Sequence, residues 1–368
     1  MHPWFEETRP DIAHALVRLL AESGRRLAAA GRWGPDAAAR LTPFSVGGKM
    51  IRGGLAMLAC GMYGGMESRA GRSAALRLAA CLELLHSGLL VHDDIMDGDR
   101  LRRGRPSIFA QYEREARRMG AADPERIGAG VGICVGDVAF FLALEAIARI
   151  PCAAECRAAI ASLAARELAL VGVGQIQDVV LGASRRLPSP AEALAICTYK
   201  TARYTFSLPL VAGAMLAGSA GTGPPAVSAA ATAKSLARLG RLGELLGTVY
   251  QLRDDDLGLY GSERETGKPV GADLREGKKT LLAVELMRRA HGQERREIGR
   301  ILGKGEVDGA EVERVREAAE RLGARQAVID VATRLVKDAG KVARSLGLPD
   351  PWRTTLQEIC AASLSRTR

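Results

Sequence analysis

Apolar residues recur at the three- and four-residue spacing of a helix face along almost the whole chain. Asp11–Ala30, Ser73–Asp97, Ala191–Ala217, Ala230–Asp256 and Val312–Leu346 all place them at i, i+3, i+4 and i+7. No alternating, β-branched run bounded by turn residues reads as a strand. This periodicity predicts an all-α fold. Breakers fall at Gly47-Gly48, Gly104–Pro106, Pro188–Pro190, Gly221–Pro225, Gly267–Pro269 and Pro349–Pro351, none of them a long flexible linker. One large helical domain over residues 1–368 is therefore expected rather than two. Aromatic residues are only 4% of the chain against 47% apolar, so Ala, Leu and Val must fill the core, as in closely packed helices.

The formal charge is 52 − 42 = +10, an excess that would attract nucleic acid, anionic lipid or phosphorylated compounds. The basic residues are dispersed, with no aromatic-interleaved patch of the kind single strands stack upon, so no nucleic-acid role is expected. Seven scattered cysteines show no zinc-ligand spacing and fit a reduced, cytoplasmic protein. Glu6 and Glu7 precede any apolar run, which argues against a signal peptide. The long apolar stretch from Gly128 to Ile150 is interrupted by Asp137 and Glu145. It is expected to be a buried helix, and no transmembrane segment is expected.

Two constellations carry chemistry. In the first, an apolar helix ends in His92-Asp93-Asp94-Ile95-Met96-Asp97, followed by Arg102-Arg103-Gly104. Asp93 and Asp97 share one helix face, where two like charges destabilise a bare helix by about 0.2–0.5 kcal/mol. Carboxylates so placed suit Mg²⁺, which takes one or two of them together with substrate phosphates. In the second, Tyr250-Gln251-Leu252-Arg253-Asp254-Asp255-Asp256 again ends an apolar helix, and a Gly/Lys-rich segment runs from Gly267-Lys268 to Lys278-Lys279-Thr280. That segment is not a Walker loop, because no GxxxxGK[ST] lies between a strand and a helix. Two acidic helix ends, each followed by cations, point to a polyphosphate held between metals and cations.

The residues resemble the trans-isoprenyl diphosphate (polyprenyl) synthases over roughly 47–280. Gly47-Gly48-Lys49-Met50-Ile51-Arg52 looks like that family's GGKRIR segment, and Asp93–Asp97 with Arg102-Arg103 like its first aspartate-rich motif. Gly174-Gln175 to Asp178 matches GQxxD, and Lys200-Thr201 matches KT. Tyr250-Gln251 to Asp255 looks like FQxxDD, and Gly267 to Thr280 like GKxxGxDxxxGKxT. Departures are Met50 for an arginine, Gly53 for a proline, Phe109 where a histidine is common, and Gly258 where many members carry a third aspartate.

The resemblance implies an isoprenoid-synthase fold with antiparallel helices around a central cavity, and a homodimer. It implies condensation of isopentenyl diphosphate with an allylic diphosphate (dimethylallyl, geranyl or farnesyl), dependent on Mg²⁺. Asp93, Asp97 and Asp254 would hold the metal on the allylic diphosphate, and Arg102, Lys200 and Lys268 would contact that diphosphate, with Lys278 a further substrate-binding cation. Lys49, Arg52, His86 and Arg103 would hold isopentenyl diphosphate, while Thr201 and Gln251 would face the developing carbocation. Product length is read from the helix before Asp93. Family members making farnesyl diphosphate often place an aromatic four or five residues upstream; here those positions are Leu89 and Gly88, with Leu85, Leu84 and Cys81 beyond. Gly88 read as open space favours geranylgeranyl diphosphate, with farnesyl or longer products, or a noncatalytic regulatory subunit, as alternatives. A class I terpene cyclase would need an NDxx[ST]xxxE metal site that the stretch from Asp255 does not supply.

Overall fold

The computed structural model describes residues 2–184, 186–219, 232–262 and 270–363. Two compact units emerge. One comprises Pro3–Leu163 with Pro209–Ala233, the other Met1–His2, Ala164–Leu208 and Lys234–Arg368.

The first unit holds α1 (Pro3–Leu27), α2 (Trp33–Val46), α3 (Ile51–Met62), α4 (Arg69–Met96), α5 (Ile108–Arg118), α6 (Pro124–Ala148) and the start of α7 (Ala154–Ala183). α4 positions the first acidic motif. The Ser68 side chain caps its N-terminus by accepting from the Gly71 N–H at 3.0 Å, and Asp97 closes its last turn by donating to the Asp93 carbonyl at 2.8 Å. Between these ends Ala75, Leu78, Ala79, Cys81, Leu84 and Leu85 are buried, and α4 packs against α1, α3 and α6. The sequence predicts no strand, yet a minimal antiparallel pair, β1 (Leu101–Arg102) and β2 (Arg105–Pro106), follows α4. Arg103 (φ 53°) and Gly104 (φ 71°) are both left-handed at its two-residue turn, the geometry whose twist suits paired strands.

The second unit holds α8 (Pro190–Ile196), a π-wound stretch (Cys197–Ser207), α10 (Ala233–Tyr260), α11 (Ala272–Glu276), α12 (Leu281–Arg289), α13 (Gly292–Ile301), α14 (Gly309–Arg321), α15 (Ala324–Ser345) and α16 (Trp352–Ala362). α9 (Leu208–Ser219) continues the π-wound stretch into the first unit's segment. Leu281, Val284, Leu286, Val315, Ala319 and Ala332 are among the buried residues of this unit's core.

Three sequence expectations change. The helix expected from Asp11 starts at Pro3 and carries Pro10 inside it. The continuous helix over 312–346 breaks at Gly323, whose left-handed φ of 68° separates α14 from α15. The buried helix expected over 128–150 is only partly buried: 39% of the most apolar window of α6 is covered, and Phe141 is 71% exposed. The two acids that interrupt its apolar run have basic side chains of the same unit beside them. Glu145 meets Arg26 at 2.8 Å and Asp137 lies 3.5 Å from His92, leaving Ile133 and Phe141 outward. By length and composition, α4, α6 and α7 are each long and apolar enough to cross a membrane.

Candidate active site

In the first unit, Asp93 and Asp97 stand one turn apart at the end of α4 with partly exposed carboxylates. Asp94, between them in sequence, turns inward and is fully buried. Its Oδ1 accepts from Arg102 Nε at 2.8 Å and also from Nη2, while Asp99 lies 3.4 Å from the same guanidinium. Burial pushes the Asp94 carboxyl up to about 6 against the opposing pull of Arg102, and its Oδ2 is buried without a hydrogen bond. Arg102 is thus anchored beside Asp93 (3.9 Å) rather than reaching freely into solvent. Asp94 thus positions Arg102, a role that its place between two aspartates in the sequence does not show.

Arg52, His86 and Arg103 come together beneath this end. Burial, then the nearby charges of Arg52, Arg103 and Arg102, hold the His86 imidazole well below its ordinary 6.5, so it is neutral near pH 7. Arg103 lies on the two glycines of the first motif: a Cβ on Gly48 would stand 2.9 Å from its Nη2, and its Nη1 donates to the Phe44 carbonyl at 3.2 Å. Lys49 is partly exposed just before Met50, whose left-handed φ of 54° turns the chain into α3. Sequence reasoning missed Glu83. It is buried one turn before His86, and its Oε1 accepts from the Gly53 N–H at 2.8 Å. Burial raises this carboxyl while Arg52 and Arg103 pull it down, so Glu83 ties the first turn of α3 to the cations around it. Its signal is a lone acid on an apolar helix face, which points to a buried partner.

The protonation of His86 gives a stability prediction. The unfolded chain takes up a proton near pH 6.5 that the folded chain refuses. Stability should therefore fall as pH drops from about 7 toward 5, by up to about 1.4 kcal/mol per pH unit. His86→Asn should flatten that limb in urea melts. Asp94, whose raised carboxyl acts with the opposite sign, is common to both proteins and drops out of the difference.

In the second unit, Lys200 Nζ lies 2.6 Å from Asp178 Oδ2, joining two sequence motifs. Lys200 and Thr201 sit in the π-wound stretch, where a regular helix was expected; Thr201 is half-buried. Such wide turns concentrate at functional sites. Here they lie against bare backbone: a Cβ on Gly174 would stand 2.7 Å from Lys200 N, and one on Gly247 2.5 Å from Ala202 Cα. Arg203 secures the stretch by two 2.8 Å bonds to Glu167. On α10, Asp254 is exposed and Gln251 Nε2 donates to Asp255 Oδ1 at 2.6 Å. Burial, then the charges of Asp273, Asp254 and Asp178, raise the Asp255 carboxyl well above its ordinary value. Asp256 faces the interior, bound by Arg253 (2.9 Å) and Arg325 (2.8 Å). Lys278 is paired with Glu276 at 2.5 Å and lies 3.9 Å from Asp273. Lys268 lies outside the described residues.

The donor chemistry fits Mg²⁺. Asp93, Asp97 and Asp254 offer hard carboxylate oxygens that are solvent-accessible. Among the described residues no three acidic, His or Cys side chains converge to hold an ion by themselves. That pattern suits an ion that takes the rest of its ligands from phosphate and water.

The expectation that Gly88 leaves open space is corrected. A Cβ there would lie 2.8 Å from the Phe140 ring and 3.0 Å from the Gly136 carbonyl, so the missing side chain lets α6 approach α4. Phe140 also stands edge-on to His92, centroids 5.4 Å apart, and His92 Nε2 lies 3.0 Å from the Ile133 carbonyl. Leu85 and Cys81 are buried in the same helix, and Leu89 is partly exposed.

The acidic helix ends and the arginines and lysines of the two units are the donor types that suit a metal-bound diphosphate. The polyprenyl synthetase family profile matches residues 38–320, and the chain belongs to that family. It is a trans-prenyltransferase. A short chain isoprenyl diphosphate synthase of Methanothermobacter thermautotrophicus is 32% identical over 280 residues, 76% of this chain and 75% of its own. A geranylgeranyl diphosphate synthase of Sulfolobus acidocaldarius is 30% identical, covering 71% and 69%. A crystal structure of a Corynebacterium glutamicum geranylgeranyl pyrophosphate synthase, complexed with isoprenyl diphosphate and magnesium, superposes with a TM-score of 0.87. It is 28% identical over 100% of this chain and 99% of its own.

Proposed function

We propose that the chain is a Mg²⁺-dependent synthase that condenses isopentenyl diphosphate head-to-tail with an allylic diphosphate, and that its main product is geranylgeranyl diphosphate. The observation that carries this reading is the clustering of Arg52, His86 and Arg103 in the same unit as Asp93 and Asp97. Mg²⁺ would neutralise the charge that develops on the departing diphosphate. Asp93, Asp97 and Asp254 are assigned to hold it, and Arg102 and Lys200 to bind the allylic diphosphate, with Lys268 and Lys278 assisting. Asp94 and Asp178 keep Arg102 and Lys200 oriented, so their donors need not reorganise during ionisation. Lys49, Arg52 and Arg103 supply cationic donors for isopentenyl diphosphate and neutral His86 a further hydrogen bond, fixing the alkene at attack distance. Thr201 and Gln251 are assigned to face the carbocation, and apolar helices would exclude the water that would capture it. No protein base is required, because the released diphosphate accepts the proton lost in forming the new double bond.

Incubating the purified protein with Mg²⁺, dimethylallyl diphosphate and isopentenyl diphosphate, then chromatographing the dephosphorylated products, tests the reading. Geranylgeraniol is expected; absence of any prenyl product would leave only a regulatory role. The geranylgeranyl assignment is supported by the absence of an aromatic at Leu89, Leu85 and Cys81 and by the relative named for that product. A geranylfarnesyl diphosphate synthase of Aeropyrum pernix, 32% identical, keeps a longer product as the second reading.

The substrate partition gives a kinetic prediction. Arg52→Ala should raise KM for isopentenyl diphosphate by roughly tenfold or more, the scale of one charged hydrogen bond, and leave the allylic KM near its wild-type value. Equal effects on both substrates would refute the partition.

A soluble, cytoplasmic homodimer completes the proposal. Support comes from the outward Ile133 and Phe141 on α6, which a second copy would cover, and from free Cys60, Cys81, Cys197 and Cys360, all buried and suited to a reducing compartment. Light scattering on detergent-free protein should read about twice the 39.0 kDa chain mass. A requirement for detergent would instead assign the apolar faces of α6 and α7 to a membrane.

A further inference from the structure

The π-wound stretch (Cys197–Ser207) is gripped from two sides within its own unit. Along the part of α7 that belongs to that unit, Glu167, Val171, Gly174 and Asp178 recur every three or four residues and so share one face. At one end of this face Asp178 accepts from Lys200 Nζ at 2.6 Å. In the middle, bare Gly174 admits the Lys200 backbone. At the other end stands Glu167, an acid only 2% exposed, and it receives Arg203 as a fork: Nε donates to Oε2 and Nη2 to Oε1, both at 2.8 Å. From α10, Glu244 accepts from Arg203 Nη1, and Gly247 and Gly243 let the backbones of Ala202 and Ser207 come close. Ser207 Oγ closes the stretch by donating to the Gly240 carbonyl at 2.7 Å.

A buried ion pair is weak evidence for stability, since apolar groups of similar volume often replace one without loss. What a bidentate fork adds is direction, which apolar contacts lack. The apolar spacing of this stretch suits an ordinary helix equally well, so the wide winding needs a directional contact to select it. A change of winding beside Arg203 would rotate Lys200 and Thr201, three and two residues before it, relative to the α7 face. We propose that Arg203 and Glu167 are positioning residues for the reaction: their pair holds the π-wound register that presents Lys200 and Thr201 to the allylic diphosphate. The proposal rests on the assignment of Lys200 to that substrate made above. It gives the stretch two anchors on one helix face, one beside the diphosphate-binding lysine and one remote from it.

Steady-state kinetics on the full-length protein, with the allylic diphosphate and isopentenyl diphosphate varied in turn, test this beside thermal melts. The double variant Arg203→Met with Glu167→Leu replaces the pair by apolar side chains, and Glu244 keeps Arg241 at 3.2 Å as a partner. It should melt close to the wild type. Its allylic KM should nevertheless rise about tenfold or more, with the isopentenyl KM near the wild-type value, because Lys49, Arg52 and Arg103 lie in the other unit. A merely structural pair would move neither KM in a folded variant, or both alike; either result overturns the proposal. If the double variant fails to fold, Arg203→Lys decides, since it keeps the charge and loses the fork: a raised allylic KM alone supports the proposal and a wild-type value overturns it. Lys200→Ala separates this proposal from the reading beneath it. It should raise the allylic KM about tenfold or more. An unchanged value removes Lys200 from the allylic site, and the role of Arg203 and Glu167 falls with it.

Discussion

Asp93→Ala and Asp254→Ala should each reduce turnover by about 10²–10³-fold or more, with the far-ultraviolet circular dichroism unchanged. The expectation follows from where the two carboxylates stand. Asp93 is partly exposed at the last turn of α4 and Asp254 is exposed on α10, so neither is a buried structural acid. Loss of either costs little folding energy, because exposed surface substitutions usually fall within about ±0.5 kcal/mol. Under the proposed mechanism it would remove a ligand of the Mg²⁺ that neutralises the departing diphosphate, and loss of such electrostatic stabilisation costs about 10²–10³ in rate. Asp94 and Asp256 behave oppositely. Both are buried and bonded to arginines, so alanine there should unfold or loosen the helix ends before it affects chemistry. Steady-state turnover together with melting curves for all four variants separates the two groups. Retained turnover in both Asp93→Ala and Asp254→Ala would overturn the mechanism.

That contrast marks what can be read from a sequence and what cannot. The placement of Asp93 and Asp97 on one face at the end of α4 follows from local periodicity, a property of adjacent residues. Which of two neighbouring aspartates turns inward does not. Asp94 is buried because Arg102, brought back by the Arg103-Gly104 turn, lies behind it, and Glu83 is held by a backbone N–H thirty residues away. Both depend on tertiary neighbours. The π-winding around Lys200 was hidden for a related reason. Its apolar spacing is that of an ordinary helix, while the wide turns depend on close approach by Gly174 and Gly247 from other helices. The break at Gly323 was more accessible, since a glycine within a long periodic stretch is a possible terminus.

Gly88→Phe should destabilise the protein sharply without shortening its product. A glycine four or five residues before an aspartate-rich motif reads equally as room for a growing chain or as a contact between helices. The α4–α6 interface decides for the second. With 2.8 and 2.9 Å from a Cβ at 88 to two Phe140 ring carbons and 3.0 Å to the Gly136 carbonyl, even alanine requires the ring to move. Phenylalanine would have to displace the ring and the α6 backbone together. Overpacking costs about 1–3 kcal/mol in cores that can adjust, and a backbone carbonyl adjusts least, so about 3 kcal/mol or more is expected. At roughly 2–4 °C per kcal/mol, that lowers Tm by about 6–12 °C. Gly88→Ala should show the same sign with a smaller drop. Product chromatography on whatever Gly88→Phe protein remains folded should give the wild-type chain length, because the new ring competes with Phe140 for space between helices rather than entering the path of the prenyl chain. A variant that melts like the wild type and makes a shorter product would return Gly88 to the chain-length determinants and would require Phe140 to move away from α4.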